Sequence, residues 1–263
     1  MKHFSELSPA AERIVDEAED LVKQLGFNGF SYEDIAQRVG IRKPSIHHHF
    51  PSKAELVVVM TQRYAHRFQL RLESISAKDA AASARLRAHA ELFAETFSNG
   101  RRLCVCGMLG SEMDSLPEPL RAEVSEFFAA NLAWLEGVIA AGQARQELDT
   151  RQPPAKLASL WLSALEGAML VGRGLSIATP SDIAEALLSN WTNSWRHSLH
   201  ADHLRPSADH RSRLGSGIAL QQTASHETLP ALASRCTQAD TPHSRPGPNE
   251  SAFREKAAPS DRR

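Results

Sequence analysis

The sequence predicts an all-α protein with a small N-terminal three-helix head, a larger helical body and a disordered C-terminal tail. Two observations carry the helical assignment. Apolar residues recur at spacings of three and four through most of the first two hundred positions, the period of an α-helix with one buried face. No stretch alternates polar and apolar between hairpin turns, as half-buried strands do. A third observation sets off the tail: from about His200 the chain becomes rich in Arg, His, Ser and Pro, with Phe253 its only aromatic residue. Such a segment buries too little apolar surface to offset its ordering entropy.

Helix 1 is expected over Pro9–Leu25, with Ile14, Ala18, Leu21, Val22 and Leu25 on one stripe. A second helix starts at Ser31, whose hydroxyl can accept from a free amide of the first turn while Asp34 reaches back, the capping-box pattern. Ile35, Ala36 and Val39 form its apolar stripe. Gly40 ends it, where a left-handed residue costs least. Pro44 suits the first turn of a short third helix, because its missing amide hydrogen would be unpaired there. Ile46 and Phe50, four apart, lock that helix inward. Ser52 with Glu55 makes another capping box, so a new helix begins near Lys53. Two short helices joined by a tight Gly turn form a helix-turn-helix, a unit that enters the DNA major groove.

On the short third helix, Pro44, Ser45 and His48 point away from the core, His47 and His49 flank the stripe, and Arg42 and Lys43 precede it. Cations and short polar groups at a helix start suit phosphates and base edges. Lys53 in the first turn of the next helix opposes the usual preference for acids there, and a facing phosphate would explain it. Charge is polarised although the net formal charge is only -1. Arg38, Arg42, Lys43, Lys53, Arg63, Arg67 and Arg71 follow a first segment carrying Glu6, Glu12, Asp16, Glu17, Glu19 and Asp20. Cations on the DNA side would release counterions and make affinity fall with salt. The run His47-His48-His49 is not read as a metal site, because neighbouring helical residues diverge by about 100°.

In the body, Leu86, Ala90, Phe93 and Phe97 mark one helix, and Leu120, Val124, Phe127, Phe128, Leu135, Val138 and Ile139 a long one. Two more run through Leu157, Leu160, Trp161 and Leu165, and through Ile183, Leu187, Leu188, Trp191 and Trp195. The long helices on either side of 149–154 read as an antiparallel pair. In the second of them Ala164, Gly167, Ala168, Val171 and Gly172 form a stripe of small residues, which permits close approach of a symmetry mate or tight packing within one subunit.

The run 26–56 resembles the N-terminal domain of TetR-family transcriptional regulators. The resemblance rests on Gly26-Phe27, Phe30-Ser31, Ile35-Ala36, Gly40-Ile41, Lys43-Pro44-Ser45-Ile46 and His49-Phe50-Pro51-Ser52-Lys53. It implies an all-helical homodimer that binds double-stranded DNA at an inverted-repeat operator, with a variable ligand-binding and dimerisation body that takes a small-molecule inducer. It also implies that Ser31 and Lys53 contact phosphates while Lys43, Pro44, Ser45 and His48 approach bases. The family usually has Tyr where this chain has His47, so the backbone contact there is altered. The expected domains are 8–68 for the DNA-binding head, 69–199 for the body and 200–263 for the tail. Phe93, Phe97, Met108, Phe127, Trp134 and Trp161 are candidates to line the inducer cavity, and each is also an ordinary core residue type.

Cys104 and Cys106 follow Arg101 and Arg102, and nearby cations lower a thiol's pKa. Some members of the resembling family sense electrophiles through a cysteine at this place, which makes both thiols candidate sensors for a thiol-reactive inducer. The alternative is a pair of buried small hydrophobes. Three cysteines at odd spacing give no disulfide framework. No signal peptide opens the chain, and no apolar run of the ~18–20 residues needed to span a bilayer is apparent, so a cytoplasmic protein without membrane contact is expected. No Ser-His-acid order, phosphate-cradling loop or catalytic carboxylate pair stands out, and neither enzymatic activity nor a cofactor is expected. The remaining rival is a protein that keeps this fold but acts through protein partners.

Overall fold

The computed structural model describes residues 3–78, 80–149, 151–175 and 179–202, with side chains described only as far as residue 192. The tail from 203 onward and the side chain of Trp195 lie outside the described residues. Among those residues the chain is entirely helical. A 3-10 turn at Phe4–Glu6 precedes α1 (Pro9–Leu25), α2 (Tyr32–Val39), α3 (Lys43–His49) and α4 (Lys53–Ser76). The body follows as α5 (Ala82–Ser98), α6 (Val105–Ser111), a 3-10 turn at Met113–Ser115, α7 (Glu118–Ala144), α8 (Pro154–Leu175) and α9 (Pro180–Asp202).

The helix ends of the head follow their side chains. Ser31 accepts from the Glu33 amide at 3.2 Å, and Asp34 accepts from the Ser31 amide at 2.7 Å. Gly40 is left-handed, with φ 75 and ψ 34. Its amide and that of Ile41 both bond to the Ala36 carbonyl, so the turn into α3 carries no orphaned donor. α3 is one residue shorter than its apolar pair suggests: Phe50 is the C-cap, buried but extended. Ser52 caps α4 by accepting from the Glu55 amide at 3.2 Å.

Ile14, Val15, Ala18 and Val22 of α1, Ile35 of α2, Ile46 of α3, and Leu56 and Val57 of α4 are buried together. Their burial fixes α3 against the other two helices, since interiors pack densely and tolerate little displacement. α4 is shared between head and body: its first turns close the head, and its later turns pack on α7 and α5. The expected boundary near residue 68 therefore falls inside one continuous helix.

The body is built on α7, α8, α5 and α9 packed around one another. Contrary to the sequence expectation, α7 and α8 are both long and apolar enough, with mean hydropathy 1.2, to cross a bilayer by length and composition alone. Their inner faces (Leu120, Val124 and Leu135; Leu157, Trp161 and Leu165) are buried in the body. α7 also carries Glu118, Arg121, Glu123, Glu126 and Glu136, which marks a body helix of a folded protein. Trp161 has no exposed surface and lies 5.6 Å from Trp191, centroid to centroid.

Candidate nucleic-acid interface

The core contacts of Ile46 and Phe50 turn the opposite side of α3 outward. Arg42, Lys43, Pro44, Ser45, His47 and His48 are all exposed, and His49 is half-buried. Arg42 occupies the N-cap position without a side-chain cap bond, and Pro44 sits in the first turn. Neither Arg42 nor Lys43 is in an ion pair among the described residues. His47 packs edge-on against Tyr32, with ring centroids 4.8 Å apart, and its Nδ1 lies 3.3 Å from the Pro51 carbonyl oxygen. Ser31 is exposed at the start of α2, its hydroxyl donating to Asp34 at 2.7 Å.

Lys53 has partners within the head itself. Its Nζ donates to the Phe30 carbonyl and stands 4.1 Å above the Phe30 ring and 4.9 Å above that of Phe27. Burial holds its pKa below the ordinary lysine value, with Glu112 and Asp34 acting against that fall. Cation–π contact and a carbonyl acceptor account for a lysine in this first turn without an external anion.

The arginines of the head also divide. Arg38 pairs with Asp20 at 3.0 Å and with Glu17 at 3.6 Å, and Arg63 pairs with Asp16 at 2.6 Å and Glu19 at 3.5 Å. Arg67 also pairs with Glu19, and Arg71 with Glu95 at 2.9 Å. Burial would raise the Glu19 carboxyl, but Lys23 and Arg67 outweigh it and hold its pKa below the usual value. Much of the sequence's basic stretch therefore neutralises the acids of α1. The exposed cations on the outward side of α3 reduce to Arg42 and Lys43.

Head and body are tied by Glu112, just past α6. Its carboxylate accepts from the amide of Phe27, and from the amide and side-chain amide of Asn28 at 3.1 Å each. Gly26 is required beside it: φ is 76, and a Cβ there would stand 2.6 Å from Glu112 Oε2. Arg102 joins the same region by pairing with Asp20.

The candidate sensor residues separate into core and cleft. Phe93, Phe97 and Trp161 are buried, and Met108 is half-buried with its Sδ 4.0 Å from Arg173 Nη1. Phe127 and Trp134 line a cleft of about 620 Å³ between α4 and α7. Cys104, the N-cap of α6, and Cys106 are both buried. Burial pushes both thiols up, and Glu166 adds to the shift at each. The arginines expected to activate them do not: Arg102 is committed to Asp20, and Arg101 Nη1 reaches the Gly172 carbonyl at 3.4 Å. Tyr64 Oη lies 3.5 Å from Cys104 Sγ. Burial lifts Glu166, beside Cys104, to about 7, and its Oε1 is buried without a partner.

Two buried polar residues escaped the sequence reading. His89 falls on the buried stripe of α5, three after Leu86 and four before Phe93, and Asn131 on that of α7, four after Phe127 and four before Leu135. A polar residue at a core position of a helical repeat was the available signal. Among the described residues no cluster of three or more His, Cys, Asp or Glu is placed to hold a metal ion.

A three-helix head whose capped second helix sets an outward, cation-led third helix is the architecture of a helix-turn-helix DNA-binding protein. The comparisons make this specific. The family model described as bacterial regulatory proteins, tetR family, matches residues 14–60, and that for a tetracyclin repressor-like C-terminal domain matches 82–188. A solved TetR-family regulator from Agrobacterium tumefaciens is 32% identical, with a TM-score of 0.67 over 70% of this chain and 97% of that one. A TetR regulator from Legionella pneumophila is 27% identical, with a TM-score of 0.64 over 70% and 98%. The transcriptional regulator AcuR of Cereibacter sphaeroides is 25% identical over 62% of this chain and 76% of its own length. The chain belongs to the TetR family of transcriptional regulators, DNA-binding proteins of the repressor type.

Proposed function

We propose that this chain is a homodimeric, cytoplasmic repressor of an inverted-repeat operator, released when a small molecule occupies the body cleft. The observation that carries the reading is the continuity of α4. It begins four residues after α3 ends, and Gln62, Ala65, Phe68, Gln69 and Leu72 along its length line the cleft. A group that spreads or rotates the middle of α4 therefore displaces the head at its start. In a dimer this alters the separation of two recognition helices that must lie ~34–36 Å apart to read successive major grooves. A ligand that binds the displaced state better by ~1.4 kcal/mol changes the ratio of the two states tenfold.

On α3, Arg42, Lys43, Pro44, Ser45, His47 and His48 form the proposed DNA surface, with Ser31 at the edge. Lys53 serves to brace the head through Phe30. The proposed dimer face is on α8, where Leu160, Leu170, Val171 and Leu175 are large, apolar and about half exposed or more. Gly167 beside them would admit a Cβ with nothing within 4 Å. The thiol-reactive form of the induction reading loses its physical support, because both thiols are buried and hard to ionise; reversible occupancy of the cleft is the better-supported trigger. Fluorescence anisotropy on the recovered operator, titrated with candidate inducers, tests the reading. An inducer that occupies the protein yet leaves operator affinity unchanged would overturn it.

A further inference from the structure

Behind the cleft between α4 and α7 lies a fixed hydrogen-bond relay, of which only the last member, Asn131, borders the cleft. Trp161 Nε1 can only donate, and it points at His89 Nδ1 at 3.1 Å. That contact makes Nδ1 an acceptor and leaves the ring proton on Nε2, which faces Asn131 Oδ1 at 2.9 Å. Burial holds His89 down at about 4, against the opposing effect of its bond to Asn131, so the ring is neutral and keeps this tautomer near pH 7. Trp134 stacks on the same imidazole, with centroids 5.5 Å apart and planes 16° from parallel, and its own Nε1 is taken by Ser76 Oγ at 2.8 Å. The relay thereby settles which way the Asn131 amide faces.

The consequence is an unanswered donor. Asn131 is 1% exposed and borders the cleft, its oxygen is consumed by His89, and its Nδ2 is buried without a partner, so an acceptor reaches it from the cleft only as the lining gives way slightly. Buried donors left unpaired are rare and costly, and they mark places where a partner is missing. The rest of the lining limits what that partner is. Phe68, Phe127 and Trp134 give flat apolar walls, while Glu123 and Glu126 supply carboxylates, and neither Lys nor Arg is among the lining residues. His66 is the one lining residue able to carry positive charge, and two carboxylates outnumber it, so an anion would meet net like charge.

We propose that the cleft binds a flat, apolar organic molecule without negative charge, which presents one hydrogen-bond acceptor, such as a ketone oxygen, to Asn131 Nδ2. This deepens, and rests on, the ligand-responsive reading above. Asn131 selects for the acceptor, and His89 with Trp161 are positioning residues that hold the amide in its one useful orientation.

The test uses the full chain and the fluorescent ketone 6-propionyl-2-(dimethylamino)naphthalene, titrated without DNA at neutral pH. Saturable binding with blue-shifted emission is expected. 2-Acetylnaphthalene should displace it, 2-ethylnaphthalene at least tenfold less well, and 2-naphthoate not at all. Asn131→Asp keeps an oxygen for His89 but removes the donor, and should weaken binding at least tenfold with the far-UV circular dichroism unchanged. Ala130→Trp, at an exposed position that lines the cleft, should abolish binding without touching the relay, and it stands as the check if Asn131→Asp fails to fold. Absence of probe binding, equal displacement by the ethyl or carboxylate compound, or unchanged affinity in either folded variant overturns the proposal. If the probe occupies the cleft while operator DNA stays bound, the release mechanism fails and this site stands.

Discussion

Two buried ionisable groups in the body make opposite demands on pH, and their opposition gives a sharp test of the core. The folded chain holds His89 at about 4, against 6.5 for the free side chain, because burial disfavours the imidazolium. Acidification from above 6.5 therefore protonates the unfolded chain first, and stability present at neutral pH is lost as pH falls toward 4. Glu166 behaves in reverse. Burial lifts it to about 7 from 4.5, so its stabilisation is full below 4.5 and is lost as pH rises through 7. Each full shift corresponds to about 3–4 kcal/mol at ~1.4 kcal/mol per pKa unit, of which about 3 kcal/mol or slightly less is expressed between pH 7 and 4.5. Between pH 7 and 4.5 the two contributions should nearly cancel in the parent chain. The perturbations are His89→Gln and Glu166→Gln, each measured by urea unfolding at fixed protein concentration across that range. Relative to the parent, the histidine variant should gain about 3 kcal/mol on acidification and the glutamate variant should lose about 3 kcal/mol. Differences that stay flat with pH for both variants would refute the assignment of these groups as buried and neutral in the fold.

Three further outcomes are expected. Replacing Arg42 and Lys43 by Gln should make the plot of log affinity against log salt shallower by roughly 3.6 in a dimer, at about 0.9 per cation. Arg38→Gln and Arg71→Gln, whose charges are paired with acids, should leave that slope unchanged, and filter-binding titrations at several salt concentrations distinguish the two. Glu112→Ala removes three hydrogen bonds that tie Phe27 and Asn28 to the body. It should cost about 2 kcal/mol and lower Tm by about 4–8 °C in a thermal melt, whereas an unchanged Tm would deny that tie its role. In a Cys236→Ser background, Cys104 and Cys106 should react with 5,5′-dithiobis(2-nitrobenzoate) at least roughly a hundredfold faster in denaturant than when folded. Equal rates would restore the thiols as sensors.

The parts of the fold that depend on local chemistry were legible in the sequence. Ser31, Gly40, Pro44 and Ser52 set helix ends through bonds within a few residues, and α1 falls on the span its apolar stripe predicts. The outward face of α3 followed from the placement of Ile46 and Phe50 alone. What sequence reasoning missed depends on partners far along the chain. Arg63 and Arg67 look like DNA-facing cations until Glu19, more than forty positions earlier, is seen beside them. The bond from Lys53 to the Phe30 carbonyl, twenty-three positions away, is equally invisible in the sequence. Arg102 activates no thiol, because Asp20 takes it. His89, Asn131 and Trp161 come from three helices, and no spacing within any one of them reveals that they form a relay.

The central claim is that an exposed α3, held by the head's core, reads a specific DNA sequence as one half of a symmetric pair. The most direct measurement is recovery and sequencing of genomic fragments bound by the purified full chain at moderate salt. Enrichment of a short inverted repeat with half-sites about one helical turn apart is the expected result. Enrichment that is blind to sequence and vanishes with salt would contradict the account, and would favour a protein that keeps this fold but acts through protein partners.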